Sequence, residues 1–197
     1  MRLYDSSVSG NAYKVRLLLA HLDIPFERIE LSVVDRSNRA DVIGGKNPAL
    51  RIPVLELDDG TTLAESNAIL MYLAEGTEYL PEGRLERARV LQWLFFEQYD
   101  HEPNIAVARF LLHYAEAPDP EVIVAKQEGG RRALAAMETR LAGHNFLVGD
   151  GYSVADIALY AYTHAAGEAG FDLAEYPGVA AWCERVAAQP RHILITD

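Results

Sequence analysis

The stretch LRIPVLELDDGTTLAES, residues 50–66, decides the fold of the first half of this chain. Two β-prone runs, residues 52–57 and 62–64, flank an Asp-Asp-Gly sequence, which is a strong signal for a hairpin. Helical spacing follows in residues 66–73, and Ser66 is of a residue type that commonly caps a helix. The stretch therefore predicts a β-hairpin that leads directly into a helix.

Pro53 conflicts with the strand in which it stands, because proline removes a backbone donor and is found at strand edges, strand starts and bulges. A cis bond between Ile52 and Pro53 would turn the main chain of Ile52 outward, where an extended peptide can add to it like a further strand. A trans proline at the start of the strand is the alternative. The spacing of residues does not separate the two.

The residues before the hairpin predict a β-α-β unit. Residues 2–5 and 26–31 are strand candidates, and residues 12–22 between them carry apolar side chains with the i, i+3, i+4, i+7 spacing of a helix. A helix that joins two strands favours a parallel pair. With the hairpin and its helix, this gives a small α/β domain.

The second half of the chain is helical in pattern. Helix-compatible spacing occurs in residues 85–114, 121–142, 154–167 and 177–188. Pro103 must kink or break the first of these helices. We therefore expect an α/β domain over residues 1–75, a linker over residues 76–86 and an all-helical domain over residues 87–197.

Composition limits the function classes. The chain has 197 residues and a formal net charge of -11, without a long basic run, so it lacks the electrostatic surface that nucleic acids need. It has no signal-like N-terminus and no apolar stretch of about 18 residues. We expect a soluble cytoplasmic protein that binds neither nucleic acid nor membrane.

Cysteine and histidine content argues against redox and metal sites. The single cysteine, Cys183, excludes an internal disulfide, and its apolar helical spacing predicts a core position. The six histidines form no close cluster with cysteine and no H-E-x-x-H motif. We therefore expect no metal ion and no resident cofactor.

Glu65 and Ser66 stand at a predicted helix N-terminus, where backbone N–H groups and the helix dipole favour an anion. The Ser66 hydroxyl adds a donor for a carboxylate, and Glu65 offers a negative charge to an ammonium group. Together they suit the zwitterionic head of an amino acid. The simpler interpretation is that Ser66 only caps the helix and that Glu65 is solvated.

The order β-α-β then β-β-α, with the motifs I-P-V-L and E-S, resembles the glutathione transferase superfamily. The resemblance implies an α/β thioredoxin-like N-terminal domain plus an all-α helical C-terminal domain, with glutathione as the co-substrate. It implies that the cysteinyl backbone pairs with Ile52 before a cis Pro53 and that the γ-glutamyl end contacts Glu65 and Ser66. Arg51 would reach toward the glycyl carboxylate.

A second match lies in GDGYSVADIALYAY, residues 149–162. Ser153 and Asp156 have the S-x-x-D spacing of a capping box, and Tyr152 and Ile157 are placed as a hydrophobic staple. The same motif is typical of the helical domain of glutathione transferases. It implies a role in folding, so neither residue belongs to the predicted site.

Catalysis in this family requires the glutathione thiol to ionise, because the thiolate is the nucleophile. Lowering a thiol pKa of about 8.5 by roughly two units takes about 2.7 kcal/mol, which is within the range of one hydrogen bond to a charged acceptor. By its position relative to Lys14 and Val15, Ser9 matches the thiolate-stabilising residue of serine-type members. Asn11 matches an asparagine of the bacterial Nu class and is the predicted second donor. The competing hydroxyls belong to Tyr4, Ser6 and Ser7.

The resemblance says less about the second substrate. The phrase VLQWLFFEQ, residues 90–98, is also similar to the helical domain of the Nu class. We expect a small electrophilic substrate against the first long helix of the second half, with Phe96, Tyr99 and Asn104 as candidate wall residues. A homodimer is expected from the resemblance alone.

The resemblance leaves two other activities open. A cysteine at position 9 would imply a mixed disulfide with the protein, and Ser9 argues against that. Two bound glutathione molecules can still reduce a disulfide, as in Nu-like enzymes. The other alternative is a glutathione-binding stress or interaction module without catalysis.

Overall fold

The computed structural model describes residues 1–197 and divides into two compact units. The N-terminal unit contains Met1–Glu75 together with Pro190–Asp197, and the helical unit contains Gly76–Gln189. The sequence predicted instead that residues 87–197 would form one helical domain. That prediction failed for residues 190–197 because their main-chain oxygens accept hydrogen bonds from side chains of the N-terminal unit.

The N-terminal unit has the thioredoxin-like arrangement that the sequence predicted. Its elements are β1 (Arg2–Asp5), α1 (Gly10–His21), β2 (Glu27–Glu30), α2 (Arg39–Ile43), β3 (Val54–Glu56), β4 (Thr62–Ala64) and α3 (Ser66–Ala74). The strands form one sheet in the order β2-β1-β3-β4. β1 and β2 are parallel, as expected for a β-α-β unit, and the other pairs are antiparallel.

Alternation along the strands sends apolar side chains to both faces of this sheet. Leu3 and Leu55 pack with Val15 and Leu19 of α1 and with Ile69 of α3. On the other face, Tyr4 of β1 and Val54 of β3 form a cluster with Leu31 and with Ile43 of α2. The short helix α2 falls in a segment that the sequence presented as irregular.

The returning tail, residues 190–197, is held mainly through α1. Tyr13 donates to the main-chain oxygen of Ile193 at 2.7 Å. Arg16 donates to the oxygens of Ile195 at 2.8 Å and Asp197 at 2.7 Å. These donors are directional, and they explain why this segment packs against a helix without forming an element of its own.

Arg16 is also part of a buried ion pair. The Asp5 carboxylate is fully buried at the end of β1 and lies 2.9 Å from Arg16 Nε and 2.7 Å from Arg28 Nε. A buried carboxylate needs such partners because desolvation otherwise penalises its charge. The pairs fix the end of β1 against α1 and β2.

The helical unit consists of α4 (Arg84–Phe96), a π-helical turn (Glu97–His101), α5 (Glu102–His113), α6 (Pro120–Leu141), α7 (Val154–Thr163), two 3-10 turns (Ala166–Ala169 and Leu173–Glu175) and α8 (Pro177–Ala187). None of these helices combines the length and the apolar character that crossing a membrane requires.

Three predicted boundaries differ from the structure. α4 begins at Arg84, inside the predicted linker. α7 ends at Thr163, before the predicted end at residue 167, and the 3-10 turn Ala166–Ala169 follows it. The predicted helix over residues 85–114 is interrupted by the π-helical turn, so that Pro103 lies in the first turn of α5. Proline is tolerated there because the first N–H groups of a helix have no acceptor within it.

Asp156 is fully buried at the start of α7 and completes the capping box with Ser153. One carboxylate oxygen accepts from Leu147 N and Trp182 Nε1, each at 2.9 Å. The other accepts from Ser153 N and Oγ, each at 3.0 Å. Burial raises the pKa of Asp156 to about 6, and these donors oppose the rise. The carboxylate accepts from four donors in all and joins α7 to α8.

We expect Asp156→Asn to lower the free energy of unfolding by about 3 kcal/mol, because the new amide NH2 faces the two donors of Ser153. Denaturant unfolding at neutral pH measures the change. Asp150→Asn, in the exposed loop before α7, is the matched control and should change stability little. Equal stability of the two variants would contradict a structural role for this carboxylate.

Candidate functional site

Three segments of the N-terminal unit meet at one end of its sheet. Val54, the first residue of β3, pairs with Tyr4 near the end of β1 and with Ala64, the last residue of β4. Because both pairings are antiparallel, the loop after β1, the residues before β3 and the residues after β4 leave the sheet together. These segments carry the residues that the sequence assigned to glutathione: Ser9, Asn11, Arg51, Ile52, Pro53, Glu65 and Ser66.

The Ile52–Pro53 peptide bond is cis, which is one of the two alternatives that the sequence left open. β3 begins at Val54, so the predicted strand over residues 52–57 is shorter than expected. Ile52 lies outside the ladder, and neither its N–H nor its C=O takes part in a hydrogen bond within the protein. Its main chain is thus available to an extended ligand.

Two buried polar residues that the sequence did not assign to the site hold the chain that leads to Ile52. Asn47 donates from its side-chain amide to the oxygen of Arg51 at 2.9 Å. Arg39 donates to the oxygen of Leu50 at 3.0 Å. These two polar residues gave no sequence signal, because nothing in the local pattern predicted their burial. The Arg51 side chain is exposed and makes no hydrogen bond within the protein.

Glu65 has an unusual backbone conformation, with φ 67° and ψ 111°. For a residue with a Cβ, holding the backbone at such a φ costs about 1–3 kcal/mol, and such strain is concentrated at functional sites. Glu65 occupies the cap position of α3, its main-chain oxygen accepts from Ile69 N at 3.0 Å, and its side chain is exposed. The carboxylate is therefore presented to solvent beside the start of a helix.

Ser66 is the first residue of α3, so the interpretation that it caps the helix is wrong. Its side chain is buried and belongs to a polar cluster with Asn11 and Lys14. Lys14 Nζ lies 2.7 Å from Asn11 Oδ1 and 3.3 Å from Ser66 Oγ. Ser66 Oγ lies 3.1 Å from Asn11 Oδ1. The cluster joins the predicted thiol side of the site to the predicted γ-glutamyl side.

Ser9 is the N-cap of α1. Its hydroxyl oxygen accepts from Ala12 N at 3.3 Å, and its backbone is extended, as is usual for an N-cap. Accepting this bond leaves the hydroxyl proton available for donation, since a serine hydroxyl both donates and accepts. Capping and a contact with a thiolate are therefore compatible at Ser9.

Two of the three competing hydroxyls, those of Tyr4 and Ser7, have partners of their own. Tyr4 donates to Glu56 at 2.8 Å, and burial and that carboxylate raise its pKa. Its ring packs on the face of the sheet that carries α2, whereas α1 covers the other face. Ser7 Oγ is 3.2 Å from Glu30. These contacts disfavour Tyr4 and Ser7 as thiolate donors.

The candidate electrophile residues lie in the helical unit and differ in their surroundings. Phe96 is half-buried and packs edge to face on Trp93. Tyr99 is 83% exposed in the π-helical turn. Asn104 donates to the oxygen of Asp100 at 2.6 Å. A Cβ at position 129 would collide with the Asn104 amide, so Gly129 allows α5 and α6 to approach closely. A wall role remains a prediction for all three.

The described residues contain no group of three or more histidine, cysteine, aspartate or glutamate side chains placed to hold a metal ion.

Two family models match the sequence of this chain. The model described as "Glutathione S-transferase, N-terminal domain" covers residues 3–79, and "Glutathione S-transferase, C-terminal domain" covers residues 99–190. The chain belongs to the glutathione S-transferase family. The family and fold that the sequence predicted are thereby confirmed, while the serine-type and Nu-class assignments remain predictions.

Relatives of this glutathione S-transferase carry different activities in their names. It is 31% identical to "Disulfide-bond oxidoreductase YfcG" of Escherichia coli (strain K12), over 91% of this chain and 87% of the relative. The crystal structure of a glutathione S-transferase from Pseudomonas fluorescens Pf-5 is 48% identical with a TM-score of 0.96, over 100% of this chain and 98% of that one.

A third similar structure contains a ligand. It is Ure2p5 from Phanerochaete chrysosporium cocrystallized with 1-(S-glutathionyl)-2,4-dinitrobenzene, at 26% identity and a TM-score of 0.85, over 96% of this chain and 90% of that one.

We expect Ser9→Ala to lower the free energy of unfolding by about 1 kcal/mol through loss of the N-cap. Ser9→Asp should retain stability, because a carboxylate caps a helix and is favoured by its dipole. Thermal and denaturant unfolding measure both variants, with Ser37→Ala in an exposed loop as the control. An unstable Ser9→Asp variant would contradict the capping role.

Proposed function

We propose that this glutathione S-transferase binds glutathione at the sheet end described above and activates its thiol for attack on a small electrophile. The observation that supports this most is the unpaired main chain of Ile52 at the end of the sheet where the β1–α1 loop and the start of α3 also emerge. An added peptide strand can pair with that main chain, while its two ends meet side chains from the neighbouring segments.

The chemistry of the tripeptide matches these side chains. The γ-glutamyl carboxylate is favoured at the N-terminus of α3, where N–H groups lack partners within the helix, and Ser66 adds a hydroxyl. The exposed Glu65 carboxylate suits the ammonium group of the same amino acid. Arg51, which is exposed before the proline, suits the glycyl carboxylate.

Activation consists of favouring the thiolate over the thiol. Ser9 keeps a hydroxyl proton to donate, and Asn11 carries an amide NH2, so both residues supply donors for a negative sulfur. Lowering the pKa of the thiol by roughly two units takes about 2.7 kcal/mol. The thiolate then forms a carbon–sulfur bond with the electrophile, and the leaving group departs with its electron pair.

Phe96 and Tyr99 supply aromatic surface that suits an apolar electrophile. We propose a cytoplasmic homodimer as its working form, on the grounds of family membership alone.

Glutathione-dependent disulfide reduction is the second candidate, and the oxidoreductase among the relatives favours it. One glutathione thiolate attacks a substrate disulfide and releases a thiol. A second glutathione then attacks the mixed disulfide, which yields oxidised glutathione and the second thiol. The protein itself carries no redox cysteine in this route, because burial raises the pKa of its single cysteine, Cys183, to about 12.

Calorimetry with glutathione, followed by assays with an aryl halide and with hydroxyethyl disulfide, tests the proposal. We expect Asn11→Ala to lower kcat/KM for the aryl halide by roughly ten- to a hundredfold, through loss of a hydrogen bond to the thiolate. Tyr4→Phe is the matched control and should leave this value nearly unchanged, since the Tyr4 hydroxyl donates to Glu56.

Each outcome separates the candidates. Faster turnover of the disulfide than of the aryl halide would make the reductase the main activity. Tight binding without turnover of either substrate would indicate a glutathione-binding module. Absence of any heat with glutathione would refute all three.

A further inference from the structure

Lys14 is a buried lysine on the side of α1 that faces the site. Its side chain is 0% exposed, and its ammonium group lies 2.7 Å from Asn11 Oδ1 and 3.3 Å from Ser66 Oγ. Lysine is almost never fully buried without partners, because removing its charge from water is costly. Here Asn11 and Ser66, two residues of the proposed glutathione site, are among its partners.

The ammonium group decides the direction of every hydrogen bond in this cluster. It donates and cannot accept, so the Asn11 atom that faces it must be the amide oxygen. By the same reasoning the Ser66 oxygen accepts from Lys14, and the Ser66 proton points to Asn11 Oδ1 at 3.1 Å. Asparagine amides can otherwise adopt two orientations related by a flip.

The fixed orientation has a consequence for the thiolate. With Oδ1 held toward Lys14 and Ser66, the NH2 group of Asn11 lies on the other side of the amide, where it can serve only as a donor. A negative sulfur needs a donor, and a flipped amide would present an acceptor oxygen instead. Lys14 thereby selects the orientation that stabilises a thiolate.

The same ammonium group frees Ser66 for its own ligand. If Ser66 turns its proton toward the γ-glutamyl carboxylate, Asn11 Oδ1 loses Ser66 as a donor and keeps Lys14. An amide oxygen in this half-buried cluster without any donor would be costly. Lys14 thus allows Asn11 and Ser66 to bind the two parts of one ligand at the same time.

We infer that Lys14 is a positioning residue, which holds Asn11 and Ser66 as donors to the sulfur and to the γ-glutamyl carboxylate of glutathione. This inference rests on the proposed function.

The test measures ionisation of enzyme-bound glutathione by its ultraviolet thiolate absorbance as a function of pH. Lys14→Gln can accept as well as donate and therefore no longer dictates the Asn11 orientation, and Lys14→Met removes the donor. We expect the apparent pKa of the bound thiol to rise by about one to two units in both. Lys14→Arg, which still only donates, should restore it. Lys126→Met in α6 removes the same charge and is the control.

A double-mutant cycle separates positioning from a direct effect of the charge. In an Asn11→Ala background, Lys14→Gln should cause no further shift in the thiol pKa. A full additional shift there, or a wild-type thiol pKa in Lys14→Gln, would overturn the inference while leaving glutathione binding intact.

Calorimetry of the wild type with glutathione separates a failure of the proposed function from a failure of this inference alone. A wild type that does not bind glutathione refutes both. Circular dichroism establishes the folding of each variant. If neither Lys14→Gln nor Lys14→Met folds, Lys14 belongs to the stability of the N-terminal unit and the positioning role is rejected.

Discussion

The pairing of Val54 with Tyr4 on one side and with Ala64 on the other is the constraint on which the site in the N-terminal unit depends. A shift of one residue in either register would move every side chain of the strand to the opposite face. The apolar clusters on both faces prevent such a shift, because Leu55 and Val54 fill different cores. The same packing that stabilises the sheet therefore determines which loops meet at its end.

Helix α1 links this site to the returning tail. Asn11 and Lys14 contact Ser66, whereas Tyr13 and Arg16 bind main-chain oxygens of residues 190–197. Both sets of contacts are directional hydrogen bonds, which resist rotation of the helix about its axis. The position of the proposed thiolate donors thus depends on polar contacts on two sides of α1 in addition to its apolar packing.

The sequence predicted the features that local patterns encode, and it missed those that depend on contacts between distant residues. Period-2 and helical spacing and the hairpin signal predicted the strands and helices α1 and α3 of the N-terminal unit, without α2, and the S-x-x-D box predicted the Asp156 cap. The burial of Lys14 and the place of residues 190–197 were not predictable, because each depends on partners far away in the chain. The π-helical turn and the burial of Arg39 had no signal in the local pattern. Ser66 shows the difference within one residue, since its position was predicted and its bonding to Asn11 was not.

The arrangement explains why conjugation and disulfide reduction are the two activities to separate. Both begin with the same glutathione thiolate, so the roles proposed for Ser9, Asn11 and Lys14 are the same in either reaction. A reductase needs a second thiol to reach the mixed disulfide, and the only protein thiol, Cys183, is held protonated by burial. The second thiol must then come from another glutathione. The choice between the activities therefore depends on whether the space beside the sulfur admits a second tripeptide or an apolar electrophile.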